Sequence, residues 1–177
     1  TMLYTTKSYG VISGELAGEY QQKNTNTVLN VVKYLKDVHL INNDDCVRAG
    51  FANVCEATGL MGRWQTIGKS PLVVCDTGHN VGGWQYLSRQ IKSVECKALR
   101  IVFGMVDDKD IEHVMDMLPK NAVYYFAQAT THRAIPVGVV GEKASAHGLH
   151  GTCYTSVGEA YEHALADADK DDFVFVG

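Results

Sequence analysis

The sequence has no excess of basic residues and no long hydrophobic run. Its 177 residues contain 16 Lys and Arg against 20 Asp and Glu, a formal net charge of −4, and the basic residues do not cluster. A nucleic-acid partner is disfavoured because nucleic-acid binding needs a positive field. No stretch approaches the roughly 20 apolar residues of a membrane span, and the first residues do not resemble a signal peptide. We therefore expect a cytoplasmic protein without a membrane partner.

The sequence also lacks paired cysteines, internal repeats and low-complexity tracts. Its five cysteines are an odd number, are widely spaced and form no C-x-x-C motif, so neither a disulfide framework nor a zinc site is indicated. With 46% hydrophobic residues, the chain can bury one good core, or one domain and a fragment of another.

A strand, a tight turn and a helix are predicted in succession from residue 72. The run Leu72–Cys75 is continuously apolar, as in a buried strand. The turn Asp76-Thr77-Gly78-His79-Asn80 follows, and then a helical stripe formed by Val81, Trp84, Leu87, Ser88 and Ile91. Open α/β sheets bind ligands beyond the carboxyl ends of their strands, so the acceptor Asp76 and the titratable donor His79 are candidate ligand-binding residues. In the alternative interpretation, Asp76 merely caps the helix and His79 is a surface residue.

The remainder of residues 63–177 alternates strands with helices. Strands are predicted at 63–67, where Arg63 is the first residue, and at 99–104, 122–127, 152–154 and 172–176. Helices are predicted after Asp110, from Pro136 to about His147, and from the capping box Ser156–Glu159 onward. This alternation predicts right-handed crossovers and an α/β fold with a Rossmann-like, mainly parallel sheet and helices on both faces. The sequence stops directly after a strand, so we expect its final helix to be missing.

The pattern of residues 1–58 predicts two helices, preceded by a ragged edge strand. The first helix carries an apolar stripe, and the second is capped by Asn43 and ended by Gly59 and Gly62. The two stripes are Val28, Val31, Val32, Leu35 and Val38, and then Val47, Phe51 and Val54. These elements are too few to bury a core independently, so we interpret them as the tail of a preceding domain. Gln21 and Asn24 could read a nucleotide base through their amides, or could equally be capping and surface residues.

Five motifs in this order resemble those of folylpolyglutamate synthase/dihydrofolate synthase, in the Mur ligase superfamily. They are Leu16-Ala17-Gly18-Glu19-Tyr20-Gln21-Gln22-Lys23-Asn24, Gly62-Arg63, Asp76-Thr77-Gly78-His79-Asn80, Gly104-Met105-Val106-Asp107-Asp108-Lys109-Asp110 and Arg133-Ala134-Ile135-Pro136. Tyr20 replaces the usual His, Gly78 the usual Ala and Val81 the usual Pro, and the first of these leaves the role of position 20 open. The resemblance implies that residues 1–58 end a central ATPase domain and that residues 59–177 form the C-terminal domain.

The resemblance implies an ATP-dependent ligase that joins the amino group of glutamate to a carboxylate of folate or dihydropteroate. An acyl phosphate is the implied intermediate. The family carries its P-loop and its Mg²⁺ ligands in an N-terminal ATPase domain, and no G-x-x-x-x-G-K-[ST] motif occurs here. Magnesium is therefore expected to bind outside this chain, which by itself should be inactive. The resemblance does not distinguish addition of the first glutamate from extension of a polyglutamate tail.

The resemblance also implies a role for each candidate residue. Arg63 would contact the ATP phosphates, Asp76 the nucleotide hydroxyls, and His79 the glutamate and acyl-phosphate side, while Gln21 and Asn24 would lie near the adenine. Lys109 is interpreted as a structural ion pair rather than a catalytic cation.

Two other classes of function remain open from the sequence. The first is a stand-alone nucleotide-binding or regulatory α/β module. The second is a hydrolase that uses Cys75 with His79, although a thiol in a buried strand is usually inert.

Overall fold

The computed structural model describes residues 1–106 and 110–177, which divide into two compact units, Thr1–Gln65 and Thr66–Gly177. The elements of the first unit are β1 (Met2–Thr6), β2 (Gly10–Gly14), α1 (Gln21–Asp37), α2 (Asp44–Ala52) and α3 (Val54–Thr58).

The first unit begins with a β-hairpin rather than with a lone edge strand. β1 and β2 pair antiparallel from Met2 opposite Gly14 to Thr6 opposite Gly10, and Gly10 has a φ of 63°. The sequence signal for β2 is weak, because Ile12 is the one large side chain of this strand that is buried and Val11 is exposed. The expectation of a single ragged strand in this region was therefore wrong.

Helix α1 buries a different face from the predicted one. Of the predicted stripe only Val32 is buried, whereas Val31 is 52% exposed and Val38 is 43% exposed. The buried residues of α1 are Gln21, Thr25 and Val32. Val32 joins a small cluster with Tyr9, Ile12 and Val47. The hairpin and α2 thus select the face that is covered, and the most apolar stripe of the helix is not that face.

The second helical segment is interrupted once. Asn43 caps α2 as predicted, because its side chain accepts a hydrogen bond from the Asp45 amide at 2.8 Å. The helix does not continue to Gly59, however, since Asn53 adopts a φ of −133° between α2 and α3. Asn53 is a poor helix former whose side chain competes for backbone groups, here by donating to the Ala49 carbonyl.

The second unit is an α/β domain built on a six-stranded sheet. Its elements are β3 (Gln65–Lys69), β4 (Leu72–Cys75), α4 (Val81–Ser93), β5 (Leu99–Phe103), α5 (Ile111–Met117), β6 (Val123–Ala127), α6 (Val137–Ala146), β7 (Gly151–Tyr154), α7 (Val157–Ala166) and β8 (Phe173–Val176). The strand order is β3-β4-β8-β5-β6-β7, and the pairs β4–β8, β8–β5, β5–β6 and β6–β7 are all parallel. The predicted fold class is confirmed.

Helices cover both faces of this sheet. Successive strand residues point to opposite faces, and one face contributes Val102 and Val174 to a cluster with Ala160 and Ala164 of α7. On the other face, Trp84 of α4 packs edge-on against Phe103 at 5.8 Å and Phe175 at 5.9 Å between ring centroids. The faces are therefore covered by different helices, and every parallel strand ends at one common edge.

The segment before β3 differs from its prediction. Gln65 is the first residue of β3, so Arg63 is not the first residue of a strand. The backbone turns here, because Gly62 and Trp64 both have left-handed φ values, 67° and 49°. Within the described residues, no helix is long and apolar enough to cross a membrane.

Candidate functional site

The turn between β4 and α4 lies at the carboxyl edge of the sheet, where β8 also ends. The Asp76 amide donates to the Val176 carbonyl at 3.0 Å, which places the first residue of the turn beside the end of β8. Asp76 is fully buried, and its Oδ1 accepts a hydrogen bond from the Gly78 amide at 2.9 Å. A carboxylate buried at this position organises the backbone of its own turn.

Asn80, and not Asp76, caps helix α4. The Asn80 side chain accepts from the Gly83 amide at 2.8 Å, and its extended backbone is typical of an N-cap residue. The alternative in which Asp76 caps the helix is therefore wrong. Both residues precede the helix and both are good capping types, so the sequence pattern alone did not distinguish them.

His79 is the exposed titratable residue of this turn. Its Nδ1 lies 3.1 Å from the carbonyl oxygen of Thr77, two residues upstream. The predicted pair, Asp76 and His79, thus lies on one turn with one member buried and the other exposed to solvent.

Gly78 lets the turn lie against α4. A Cβ at this position would be 2.2 Å from Leu87 Cδ1 and 3.3 Å from Asp76 Oδ1. Leu87 is completely buried, so a side chain at position 78 would require movement in a packed region.

Two neighbouring loops form the next part of this edge. The Ile135 amide donates to the Met105 carbonyl at 3.0 Å, and Val106 and Ala134 form an antiparallel bridge. The loop after β5 is therefore tied to the loop after β6. Asp107, Asp108 and Lys109 lie outside the described residues, so the interpretation of Lys109 as a structural ion pair stays a prediction.

Gln128 is a polar residue of this edge that was not predicted from the sequence. Its Oε1 accepts from the Val137 amide at 3.1 Å and so caps α6 from the end of β6. The signal was the one that indicated Asp76, a polar residue directly after a buried strand.

Gln21 and Asn24 lie together in the first unit. Asn24 Nδ2 donates to Gln21 Oε1 at 3.0 Å, and Gln21 is buried at the start of α1. Both residues line a cavity of about 330 Å³ whose remaining walls are mostly apolar, with Leu16, Val28, Val32, Val47 and Phe51 among them.

Arg63 is half-buried in the first unit, between the two left-handed residues Gly62 and Trp64. Its Nη1 donates to the Gly62 carbonyl at 3.1 Å. The Gly62 amide in turn donates to Gln65 Oε1 at 2.9 Å, so side-chain hydrogen bonds hold the segment that carries the guanidinium.

Neither a thiolate nor a metal centre is indicated. Burial, together with the neighbouring Asp76 carboxylate, raises the pKa of the Cys75 thiol, which disfavours the nucleophilic form. Throughout residues 1–106 and 110–177, no three His, Cys, Asp or Glu side chains are gathered so that they could hold a metal ion.

The family described as "Mur ligase, glutamate ligase domain" matches residues 62–177, which include the whole second unit. The chain belongs to this family. The match confirms the resemblance drawn from the motifs, and it places the turn Asp76–Asn80 within the glutamate ligase domain.

Individual relatives have matching names. The chain is 31% identical over 137 residues to the dihydrofolate synthase/folylpolyglutamate synthase of Escherichia coli strain K12, a match that covers 76% of this chain and 30% of the relative. The structure of E. coli FolC in complex with ADP superposes with a TM-score of 0.75 at 25% identity, over 97% of this chain and 39% of that one.

A bifunctional folylpolyglutamate synthase/dihydrofolate synthase with Mn, AMPPNP and L-glutamate bound gives a TM-score of 0.73 at 28% identity. The match covers 97% of this chain and 39% of that one. The chain thus spans well under half the length of the proteins that its glutamate ligase domain resembles.

Proposed function

We propose that this chain is the C-terminal part of an ATP-dependent amide ligase that joins L-glutamate to a carboxylate of folate or dihydropteroate. The proposal depends on one observation, the ordered turn Asp76–Asn80 at the carboxyl edge of a domain that belongs to the glutamate ligase family. In the proposed reaction, ATP converts the carboxylate into an acyl phosphate, and the amine of glutamate displaces phosphate from it. This needs two substrates held in register and cations that stabilise the transferring phosphoryl group.

Asp76 and His79 would each contact a different substrate. Asp76 would accept hydrogen bonds from the ribose hydroxyls of the nucleotide, and His79 would contact glutamate and the acyl phosphate. The division is supported by their geometry, since Asp76 is buried at the start of the turn and His79 is exposed three residues later. One short turn can therefore present two different polar groups.

Arg63 would contact the phosphates of ATP. Its planar guanidinium carries a permanent charge and several donors, which suits phosphate oxygens. The left-handed φ of the non-glycine residue Trp64 supports a functional role for this segment, because strained backbone clusters at ligand-binding positions.

Gln21 and Asn24 would lie near the adenine. In the hydrogen bond between their side-chain amides, the Asn24 nitrogen donates to the Gln21 oxygen. The Gln21 nitrogen and the Asn24 oxygen take no part in that bond. One donor and one acceptor side by side complement the amino group and ring nitrogen of adenine.

We also propose that residues 1–58 are the end of a central ATPase domain and that residues 59–177 are the C-terminal domain of the enzyme. The described residues offer no magnesium donor set. Magnesium and the phosphate-binding loop would accordingly be supplied by the N-terminal ATPase domain of the same protein, as the family resemblance implies.

Steady-state kinetics of the complete enzyme, with ATP and glutamate varied separately, test these roles. Arg63→Ala should lower kcat/KM by an amount equivalent to about 2 to 4 kcal/mol of transition-state stabilisation. This is the effect of removing one preorganised electrostatic partner. Its loss should impair the reactive complex more than initial nucleotide binding.

The two residues of the turn should affect different substrates in the same assay. Asp76→Ala should raise the KM for ATP, and Asp76→Asn separates charge from geometry because an asparagine can still accept from the Gly78 amide. His79→Ala should raise the KM for glutamate with less effect on ATP.

A histidine at the other edge of the sheet provides the control. His150 is exposed and lies directly before β7, so His150→Ala should leave both KM values unchanged. If the Arg63, Asp76 and His79 variants all retained wild-type parameters as well, the turn would be only a helix start and the assigned roles would be wrong.

A further inference from the structure

The contact made by Nδ1 of His79 fixes the tautomer of the neutral imidazole ring. Nδ1 lies 3.1 Å from the Thr77 carbonyl oxygen. A carbonyl oxygen can only accept, so the ring nitrogen must be the donor and must carry the hydrogen. A neutral imidazole has one N–H and one lone pair, and the lone pair of His79 is therefore on Nε2.

The backbone that holds this ring is itself ordered by side chains on both sides. Asp76 Oδ1 accepts from the Gly78 amide at 2.9 Å, and Asn80 Oδ1 accepts from the Gly83 amide at 2.8 Å. The Asn80 carbonyl then accepts from Trp84, within the first turn of α4. The Thr77 carbonyl is thus a positioning group on a fixed turn, and His79 is an exposed residue accessible to a small molecule.

The other candidate bases, Asp76 on this turn and Cys75 at the end of β4, are less suitable. Asp76 is buried and already accepts from Gly78, and burial raises the pKa of the Cys75 thiol. Among the described residues of the turn, His79 alone combines exposure with a nitrogen lone pair that can accept a proton.

The ligation reaction needs such a base, because the amino group of glutamate is an ammonium ion in neutral solution and has no lone pair. We propose that Nε2 of His79 removes one proton from this ammonium group, and that the Thr77 carbonyl, by accepting from Nδ1, leaves the lone pair of the neutral ring on Nε2. The inference rests on the proposed function. It assigns His79 a step in the chemistry in addition to contact with glutamate.

The proposed step begins when Nε2 takes one proton from the ammonium group. The amine lone pair then forms a C–N bond to the acyl carbon of the acyl phosphate, and a tetrahedral intermediate results. The C–O bond to phosphate then breaks, and the departing phosphate takes the second proton from the amide nitrogen. The imidazolium returns its proton to solvent, which regenerates the tautomer held by Thr77.

The tautomer can be measured on the 177-residue protein without any assay of ligation. Long-range ¹H–¹⁵N correlation spectra of the imidazole rings, with His79 assigned by comparison with His79→Gln, should show the hydrogen of the neutral ring on Nδ1. A neutral ring that carries its hydrogen on Nε2 would overturn the proposal, because Nε2 could not then accept a proton.

The catalytic role is tested in the complete enzyme by separating kcat from the KM for glutamate. The amide nitrogen of His79→Asn can still donate to Thr77 but is not a base, so kcat should fall by about 100-fold or more, the typical contribution of a positioned base. In His79→Ala, added imidazole should restore part of the lost kcat, and His150→Ala should not respond to it.

The outcomes distinguish this inference from the function on which it rests. A raised KM for glutamate with an unchanged kcat in His79→Asn would make His79 a binding residue only and would overturn the role as a base. A wild-type enzyme that ligates no glutamate would instead overturn the proposed function and the base role together.

Discussion

At the scale of single residues, the space around Gly78 decides how the site turn is held. A methyl group there would lie 2.2 Å from Leu87 Cδ1, inside a region where Leu87 is fully buried. We expect Gly78→Ala to lower the free energy of unfolding by about 1 to 3 kcal/mol, as overpacking of a filled core does. Denaturant unfolding of the 177-residue protein measures this effect.

Gly82 provides the matched control. It lies in the first turn of α4, and a Cβ added there would come no closer than 3.6 Å to its nearest neighbour, Asn80 Oδ1. Gly82→Ala should be neutral or stabilising by up to about 1 kcal/mol, since alanine favours the helix. If the two alanine variants were equally stable, the steric explanation for Gly78 would be wrong.

The sequence could identify which residues share the turn but not what each one contacts. Asp76 and His79 follow a buried strand, which is a local pattern and was sufficient to place them at the sheet edge. The burial of Asp76 and the choice of Asn80 as the cap depend on where β8 and α4 lie, and those contacts are not local. Gln128 had the same local signal as Asp76 but lay outside the five recognised motifs.

At the scale of elements, a histidine joins helix α6 to helix α5. His147 Nε2 lies 2.6 Å from Glu112 Oε2, and its Nδ1 lies 2.7 Å from Asp116 Oδ1. Both nitrogens can donate only when the ring is charged. Lys143 pairs with the other oxygen of Glu112, so the cluster contains two cations and two carboxylates.

This cluster should make the stability of the second unit depend on pH. Hydrogen bonds to Glu112 and then Asp116 raise the pKa of His147, so its contribution is complete below the ordinary value of about 6.5 and is lost as the pH rises through the raised value. Bonds from Lys143 and then His147 lower the pKa of Glu112, whose contribution is lost as the pH falls below its ordinary range. The destabilisation caused by His147→Gln should therefore be largest in mildly acidic solution and shrink towards alkaline pH.

Thermal unfolding of wild type and His147→Gln across this pH range measures the difference in Tm. The control is His150→Gln, since His150 is exposed and three residues away. A difference in Tm that stayed constant with pH, or one that His150→Gln reproduced, would show that the charge of His147 is not responsible.

The elements themselves were largely predictable because their signals are local. The caps at Asn43 and Ser156 both hold, and the Ser156 side chain accepts from the Glu159 amide as the capping box requires. The covered face of α1 was not predictable from its periodicity. It depends on the β-hairpin and α2, which leave Val31 and Val38 exposed and cover Thr25 instead.

At the scale of the whole molecule, the chain matches only part of the length of the proteins that it resembles. It spans 30% of the E. coli relative and 39% of the FolC structure. We predict that the 177-residue protein folds but does not ligate glutamate, because the phosphate-binding motif is absent from its sequence. Release of ADP from ATP, with and without dihydropteroate and glutamate, is the measurement.

The complete enzyme serves as the positive control for this assay. ADP release that depends on the 177-residue protein and is stimulated by both substrates would contradict the prediction. Circular dichroism and a cooperative unfolding transition, recorded on the same sample, separate an inactive folded protein from an unfolded one.

The overall fold class followed from the alternation of strands and helices, but the spatial order of the strands did not. Parallel pairing of neighbours in the sequence predicts β5 beside β6 and β6 beside β7, which is observed. By the same rule β4 would lie beside β5. Instead β8 lies between them, because the connection through α7 returns across the sheet.

The central position of β8 has a consequence for the nascent chain. β4 and β5 both pair with β8, and Leu72 and Leu99 both lie opposite Phe173. During synthesis, β4 is made about 100 residues before β8, and β5 about 70 residues before it. Until the sequence Phe173–Val176 leaves the ribosome, the inner edges of β4 and β5 have no partner in this sheet. Open, apolar strand edges associate with other chains, so the interval before β8 emerges is when this domain is most exposed to aggregation and chaperone binding.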